Sequence, residues 1–337
     1  MTAGRTVGVC VVVLALAVAG VAGTASAQSA PTPIDSCRTI ADDGQYVLTS
    51  DIENSSGSTC VQILSSDVVF DGGGHTIEGA NANESVGVKV NNSLTSLSNV
   101  TVKNVTTTGW TAGVYYRDAQ NGTVENVNAS ANRRHGVLLR AASDTRLENV
   151  TAVENGRWSL YAVGNTTDVL GTRFTTRSTD NASFRASDVA LTGVGPSPGG
   201  LENRSTVGQR IGAAGTGGNS SLRLGVGYDE RNVTEANVTE SSLRMWRFEG
   251  NWSKPSGVNF VNVKRNRVVA EVQGVDNASV FAPAGDVETP TPTPTPTATA
   301  TETAANTTTT SSDDGPGFGV ALALVAVLAS ALALLRR

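Results

Sequence analysis

The sequence is poor in the side chains that most chemistry requires. Two histidines, two methionines and three cysteines are spread over 337 residues. One methionine is the initiator, and Cys10 lies in an N-terminal apolar run. Cys37, Cys60, His75 and His135 remain, too few and too dispersed for a thiolate or imidazole metal centre. No metal and no cofactor is therefore expected. Lysine is nearly missing, occurring only at Lys89, Lys103, Lys254 and Lys264. Acids outnumber bases by 30 to 25, for a net charge of −5. Removing Arg5, Arg336 and Arg337 with the two ends leaves 22 bases against 30 acids, a net −8. No basic patch favours a nucleic-acid partner, and an acidic excess with little lysine suits solubility in high salt. Ser/His/Asp and phosphate-loop signatures are missing, and the Thr, Val, Asn and Gly content excludes long helices.

What is present begins with two apolar ends. Arg5 precedes an apolar stretch that reaches about Val21, and Ala25-Ser26-Ala27 resembles a cleavage site. Residues 1–27 read as a secretory signal peptide. At the other end, Phe318 to Leu335 carries no charge and is long enough to span a bilayer as a helix. Arg336 and Arg337 follow it as a cytoplasmic flank, which places the bulk of the chain outside the cell. Ahead of that run, residues 286–314 alternate Thr with Pro and hold almost no apolar side chains. Such a segment cannot bury a core and favours an extended stalk.

Between the ends the chain repeats. The segments "VKNVTTTGWTAGVYYRDAQNGT", "VENVNASANRRHGVLLRAASDTR" and "LENVTAVENGRWSLYAVGNTTD" align at a spacing of 22 to 23 residues. Val102, Val124, Leu147 and then Val169 fall in one column, and Asn104, Asn126 and Asn149 in a second. Val105, Val127 and Val150 form a third, and Val114, Val137 and Leu160 a fourth. Each unit reads as two or three short alternating strands with Asn, Gly or Asp at the corners. A unit of this size cannot enclose a core alone. Stacking like positions about 4.8 Å apart does so, which predicts a parallel β-helix over residues 33–191. A leucine-rich repeat would need a leucine-dominated pattern, and a propeller about twice the period. Cys37 and Cys60 stand about one coil apart. An exported chain with two cysteines favours one disulfide over free thiols, and a bridge between neighbouring coils would be worth about 3 kcal/mol.

Residues 192–220 are rich in Gly, Ser and Pro and read as a linker. Residues 221–285 read as a small β-sandwich-like domain, with Trp246 and Trp252 flanking a hairpin at Glu249-Gly250-Asn251. That aromatic pair suits either a sugar ring or a core.

The stretches "CRTIADDGQYVLTSDI" and "SDVVFDGGGHTIEG" and the repeated "xENVTxxxN" units resemble the NosD-type right-handed β-helix proteins of haloarchaeal surfaces. The resemblance covers about residues 35 to 190. It implies a right-handed parallel β-helix, a fold that hosts polysaccharide lyases and hydrolases and also proteins without enzymatic activity. Pro316, Gly317 and Phe318, the apolar run and the final Arg pair resemble the PGF-CTERM signal of archaeal surface proteins. That resemblance implies cutting by an archaeosortase and replacement of the helix by a lipid.

For chemistry, Arg133, Arg134 and His135 form the one basic knot in the repeats, and they are the candidates for a lyase-like face. His135, before a strand, and His75, in a glycine corner, both read as corner or surface residues. Asp118, Asp144 and Asp168 recur near equivalent corners, as an acidic ladder or simply as turn residues. The copper chemistry suggested by the NosD label would want clustered His, Met or Cys. N-x-S/T acceptors run from Asn54 to Asn306. Asn99, Asn121 and Asn232 are the expected glycan sites, whereas Asn104 and Asn149 are expected to be locked in an internal hydrogen-bonded ladder. The expectation is an anchored, glycosylated surface protein with a structural or polysaccharide-binding role. Lyase or hydrolase activity and adhesion are the alternatives.

Overall fold

A computed structural model describes residues 30–288 apart from residue 276. The signal segment, most of the stalk and the C-terminal apolar run lie outside the described residues. The coil that starts at Thr101 shows how the chain is built. Strand Thr101–Lys103 ends at Asn104, and strand Thr106–Thr108 leads to Gly109. Strand Ala112–Arg117 ends at Asp118, and the short Ala119–Gln120 strand ends at Asn121. All four corner residues have positive φ, at 51°, 74°, 51° and 50°. One left-handed residue between two extended segments turns the chain sharply, and Asn, Asp and Gly tolerate that conformation best. The same corners recur at Asn126, Asn149, Asp144, Asp168 and Gly164. Ala131, Ala141 and Arg173 also adopt it, held there by the coils above and below.

Strands Arg38–Ile40, Thr59–Ile63, Val86–Val90, Ala112–Arg117, His135–Arg140 and Trp158–Val163 stack in parallel as six successive coils of one face. Their register runs Val61, Val88, Val114, Val137, Leu160, and each of these residues is fully buried. On a second face Phe70, Val102, Val124 and Leu147 stand in register and are equally buried. Burying each such side chain contributes about 1.5–3 kcal/mol, and only the neighbouring coils supply the contact. The fold is therefore all-β and solenoidal, and helix is confined to Glu230–Glu235 and two short 3-10 turns.

The fourth member of that second column is Gly171, not Val169, because Leu147 pairs with Gly171. This coil is one residue longer than the one before it. A Cβ on Gly171 would lie 2.2 Å from the Phe184 ring, so Phe184 from the next strand fills the slot that the column leaves empty. The Asn column is also real, though it stands on an outer corner and is not internal. Asn104 Nδ2 donates to Asp71 Oδ1 at 3.0 Å, Asn126 Nδ2 to Asn104 Oδ1 at 3.3 Å and Asn149 Nδ2 to Asn126 Oδ1 at 2.9 Å.

Parallel stacking stops after Val169–Thr176. Thr179–Ser187, Ser221–Gly227, Arg267–Gln273 and Asn259–Asn262 then extend one sheet antiparallel, and Val189–Thr192, Ile211–Gly215, Ser279–Asp286 and Arg244–Glu249 extend the other. Residues 221–285 thus prolong the two sheets of the solenoid, and Leu224, Ala270 and Phe281 belong to the same buried core as Val124. The stretch read as a linker over 192–220 holds strands Arg204–Thr206 and Ile211–Gly215. Its glycines mark close packing: a Cβ on Gly215 would lie 1.8 Å from the Val275 carbonyl. The hairpin about Gly250 does form, pairing Glu249 with Asn251.

Asn126 serves both the corner and the ladder. Asn126→Ala is expected to lower unfolding stability by about 1–2 kcal/mol in chemical denaturation, and Asn126→Gly, which keeps the left-handed corner, by roughly half as much. Equal losses for the two variants would show that the backbone conformation at this corner carries no cost.

Candidate functional site

The coordinates scatter most of the sequence-predicted residues. Cys37 and Cys60 form a disulfide with Cα atoms 4.4 Å apart, which joins the first two coils. Pro316, Gly317 and Phe318 lie outside the described residues. Asn99 and Asn121 are exposed corner residues, and Asn99 Nδ2 donates to Asp67 Oδ1 at 2.9 Å. Asn232 is half-buried on the short helix. His75 Nδ1 lies 3.0 Å from Asp51 Oδ1. The Thr76 N–H, and after it His75, hold the Asp51 carboxyl below its usual range. Asp144 and Asp168 share a corner column, but Asp118 stands on a different corner, so the three do not converge.

The basic knot splits in two. Arg133 and Arg134 are exposed, and the Arg133 guanidinium donates to the Asn81 carbonyl. His135 is not a corner or surface residue. It opens a strand, is buried at 5% exposure, and stacks on Tyr161 with ring centroids 4.8 Å apart. Its Nδ1 has no hydrogen-bond partner among the described residues. Burial, and then the charges of Arg134 and Arg157, lower its pKa to about 4. Alternation explains the misreading. The strand "HGVLLR" turns Val137 and Leu139 inward, and His135 shares their parity. The tryptophans are likewise engaged. Trp246 lies between the Arg204 guanidinium at 4.9 Å and the Lys254 ammonium at 5.1 Å. Trp252 Nε1 donates to the Pro198 and Gly199 carbonyls.

Five arginines that the sequence pattern does not group do converge. Where the sheet passes from parallel to antiparallel, its outer surface holds a groove of about 520 Å³. Arg146, Arg185, Arg223, Arg265 and Arg267 line it, with Leu170 and Phe260 as its apolar surface. Register makes the cluster. Arg146 pairs with Leu170, Leu170 with Arg185, and Arg185 with Arg223. Two positions along, Ser183, Gly225, Val269 and Phe260 form the next row. Gly225 leaves that row low, and Leu170 and Phe260 stay 37% and 39% exposed.

The charges in the groove are only partly balanced. Arg185 pairs with Asp168 at 2.7 Å and Arg223 with Glu271 at 3.2 Å. Arg267 donates to Ser183 Oγ at 2.7 Å and Asn181 Oδ1 at 3.0 Å, both neutral. Its pKa is eased down by burial and then by Arg265. Among the described residues, Arg146, Arg265 and Arg267 have no carboxylate partner. A net-acidic chain has thus gathered guanidinium groups, which donate but cannot accept hydrogen bonds. The arrangement suits a ligand rich in oxygen acceptors. Sequence reasoning missed it because the pairing Arg185 with Arg223 joins positions 38 residues apart, outside the repeat period. The excess of Arg over Lys was the one available hint.

The buried His135 has a pH consequence. The folded state holds it neutral down to about pH 4, while an unfolded histidine protonates near pH 6.5. Stability is therefore undiminished by this group above pH 6.5, falls as the pH drops toward 4, and loses about 3 kcal/mol in all. Denaturation curves of wild type and His135→Gln, compared at each pH, are expected to diverge by that slope between pH 6.5 and 4. Parallel pH profiles would mean the ring is charged or hydrated in the folded protein.

Comparison with known proteins agrees with the geometry. The family described as right-handed beta helix region matches residues 40–184, which fixes the hand of the solenoid, and the PGF-CTERM motif matches residues 315–337. No curated protein and no solved structure matches the chain. The PGF-CTERM motif marks archaeosortase processing and a lipid or membrane anchor. Residues 40–184 are a right-handed β-helix region, borne by a PGF-CTERM protein that is anchored at its C-terminus and displayed on the cell exterior.

Proposed function

We propose that this surface protein is a carbohydrate-binding component of the cell envelope, and that the arginine-lined groove is where it holds its polysaccharide. The observation that carries the reading is the convergence of five guanidinium groups with an exposed Phe and Leu around one open groove. A sugar chain presents apolar ring faces and a rim of oxygen acceptors. Phe260 and Leu170 suit the faces, and the arginines with Ser183, Thr172 and Asn262 suit the rim. The groove lies along a rigid sheet, so its donors are positioned before ligand arrives and little ordering cost remains. In this reading residues 286–314 are the spacer that holds the groove away from the membrane, and glycans on Asn99, Asn121 or Asn232 would decorate the exterior.

Within the groove, Asp168 and Glu271 are each tied to an arginine, which favours holding a chain over cleaving it. Affinity electrophoresis of the full chain through gels containing polysaccharide tests the reading. Retardation is expected for wild type and for Arg133→Ala/Arg134→Ala, and loss of retardation for Arg223→Ala/Arg267→Ala. The reverse pattern would move binding to the face around Arg133, and no retardation of any form would remove the carbohydrate role.

A further inference from the structure

Resting on the carbohydrate-binding reading above, we infer that the ligand is a linear acidic polysaccharide, carrying a carboxylate or sulfate on its repeating sugars and lying along the solenoid axis, across the strands. Three observations lead there. The first is chemical: the groove's charged lining is entirely arginine. Guanidinium offers only donors, so the partner must bring acceptors, and an anionic oxygen pair meets the planar fork best. A neutral glycan, whose hydroxyls also donate, would call for carboxylate or amide acceptors, and Asn262 is the one amide side chain in the lining. The second is geometric. Arg146, Arg185 and Arg223 occupy one row across four adjacent strands, with Leu170 between the first two. Strands lie about 4.8 Å apart, so the row spans about 14 Å. That direction is the stacking axis, and a polymer with regularly spaced charge follows it without bending. The third is electrostatic. Arg146, Arg265 and Arg267 have no carboxylate partner among the described residues, while the chain as a whole is net −5. Attraction for an anion is thus local to the groove, and the rest of the acidic surface repels a polyanion that is not in register.

Nucleic acid is also a linear polyanion, but its single strands are held by successive stacking aromatics, and Phe260 is the one aromatic exposed in the groove. The two are separated by experiment. Fluorescein-labelled oligogalacturonides of increasing length, their methyl-esterified counterparts, and a single-stranded oligodeoxynucleotide of matching charge are titrated by anisotropy against the purified full chain. Affinity is expected to climb with length up to about four sugars, the span of the arginine row, and then level off. Esterification is expected to weaken binding by about tenfold or more, as is Arg146→Ala/Arg223→Ala, with circular dichroism showing that the fold is kept. Equal binding of acidic and esterified chains would overturn the acidic ligand while leaving the carbohydrate role standing. Binding of neither would overturn both. An oligodeoxynucleotide that binds as tightly as the uronate would overturn the polysaccharide in favour of charge alone. Affinity rising without a plateau would overturn the axial register.

Discussion

The structure depends on backbone register between coils. A coil of 22 to 24 residues holds only a few inward side chains, too few to exclude water by themselves. In register, Val61, Val88, Val114, Val137 and Leu160 become a continuous file with no exposed surface. Register requires that every coil turn its corners at the same places, and left-handed residues do that at four positions per turn. A corner shifted by one residue would exchange the inner and outer sets of the following strand. The Asn ladder reinforces the same alignment from outside.

The groove follows from how the stack ends. A parallel solenoid repeats its surface coil by coil, so each coil presents nearly the same outward residues. Past Val169–Thr176 the strands run antiparallel and the repeat is abandoned. New pairings then bring side chains from residues 146 to 267 into adjacent rows. The solenoid serves as a rigid base, and the antiparallel end is where the chain is free to assemble a surface that repetition could not provide. The disulfide fastens the opposite end of the stack, where an open edge would otherwise invite pairing.

Much of the fold was legible because repetition writes itself into sequence. The columns through Val124 and Val137, and the Asn corners, follow directly from period and alternation. Val169 was misplaced because a single added residue shifts a column, and no local signal marks it. The Gly-rich stretch over 192–220 read as flexible because composition cannot separate a glycine that must bend from one, such as Gly215, that must leave room. His135 looked like a corner residue because its polarity outweighed its parity. Sequon density misleads for a related reason. Asn-Val-Thr at Asn104 and Asn149 is the fold's own corner sequence, a left-handed Asn followed by an inward Val and a strand Thr. The groove was not legible at all, since antiparallel pairing between distant strands leaves no periodic trace.

The most direct test of this account is a set of methyl–methyl nuclear Overhauser contacts in selectively labelled protein. The account predicts an unbroken chain of contacts from Val102 to Val124 to Leu147, each residue touching its counterpart one coil away, and the same from Val114 to Val137 to Leu160. If these methyls instead contact residues close in sequence and none one coil removed, the stacked coils do not exist and the groove built on their last turn falls with them.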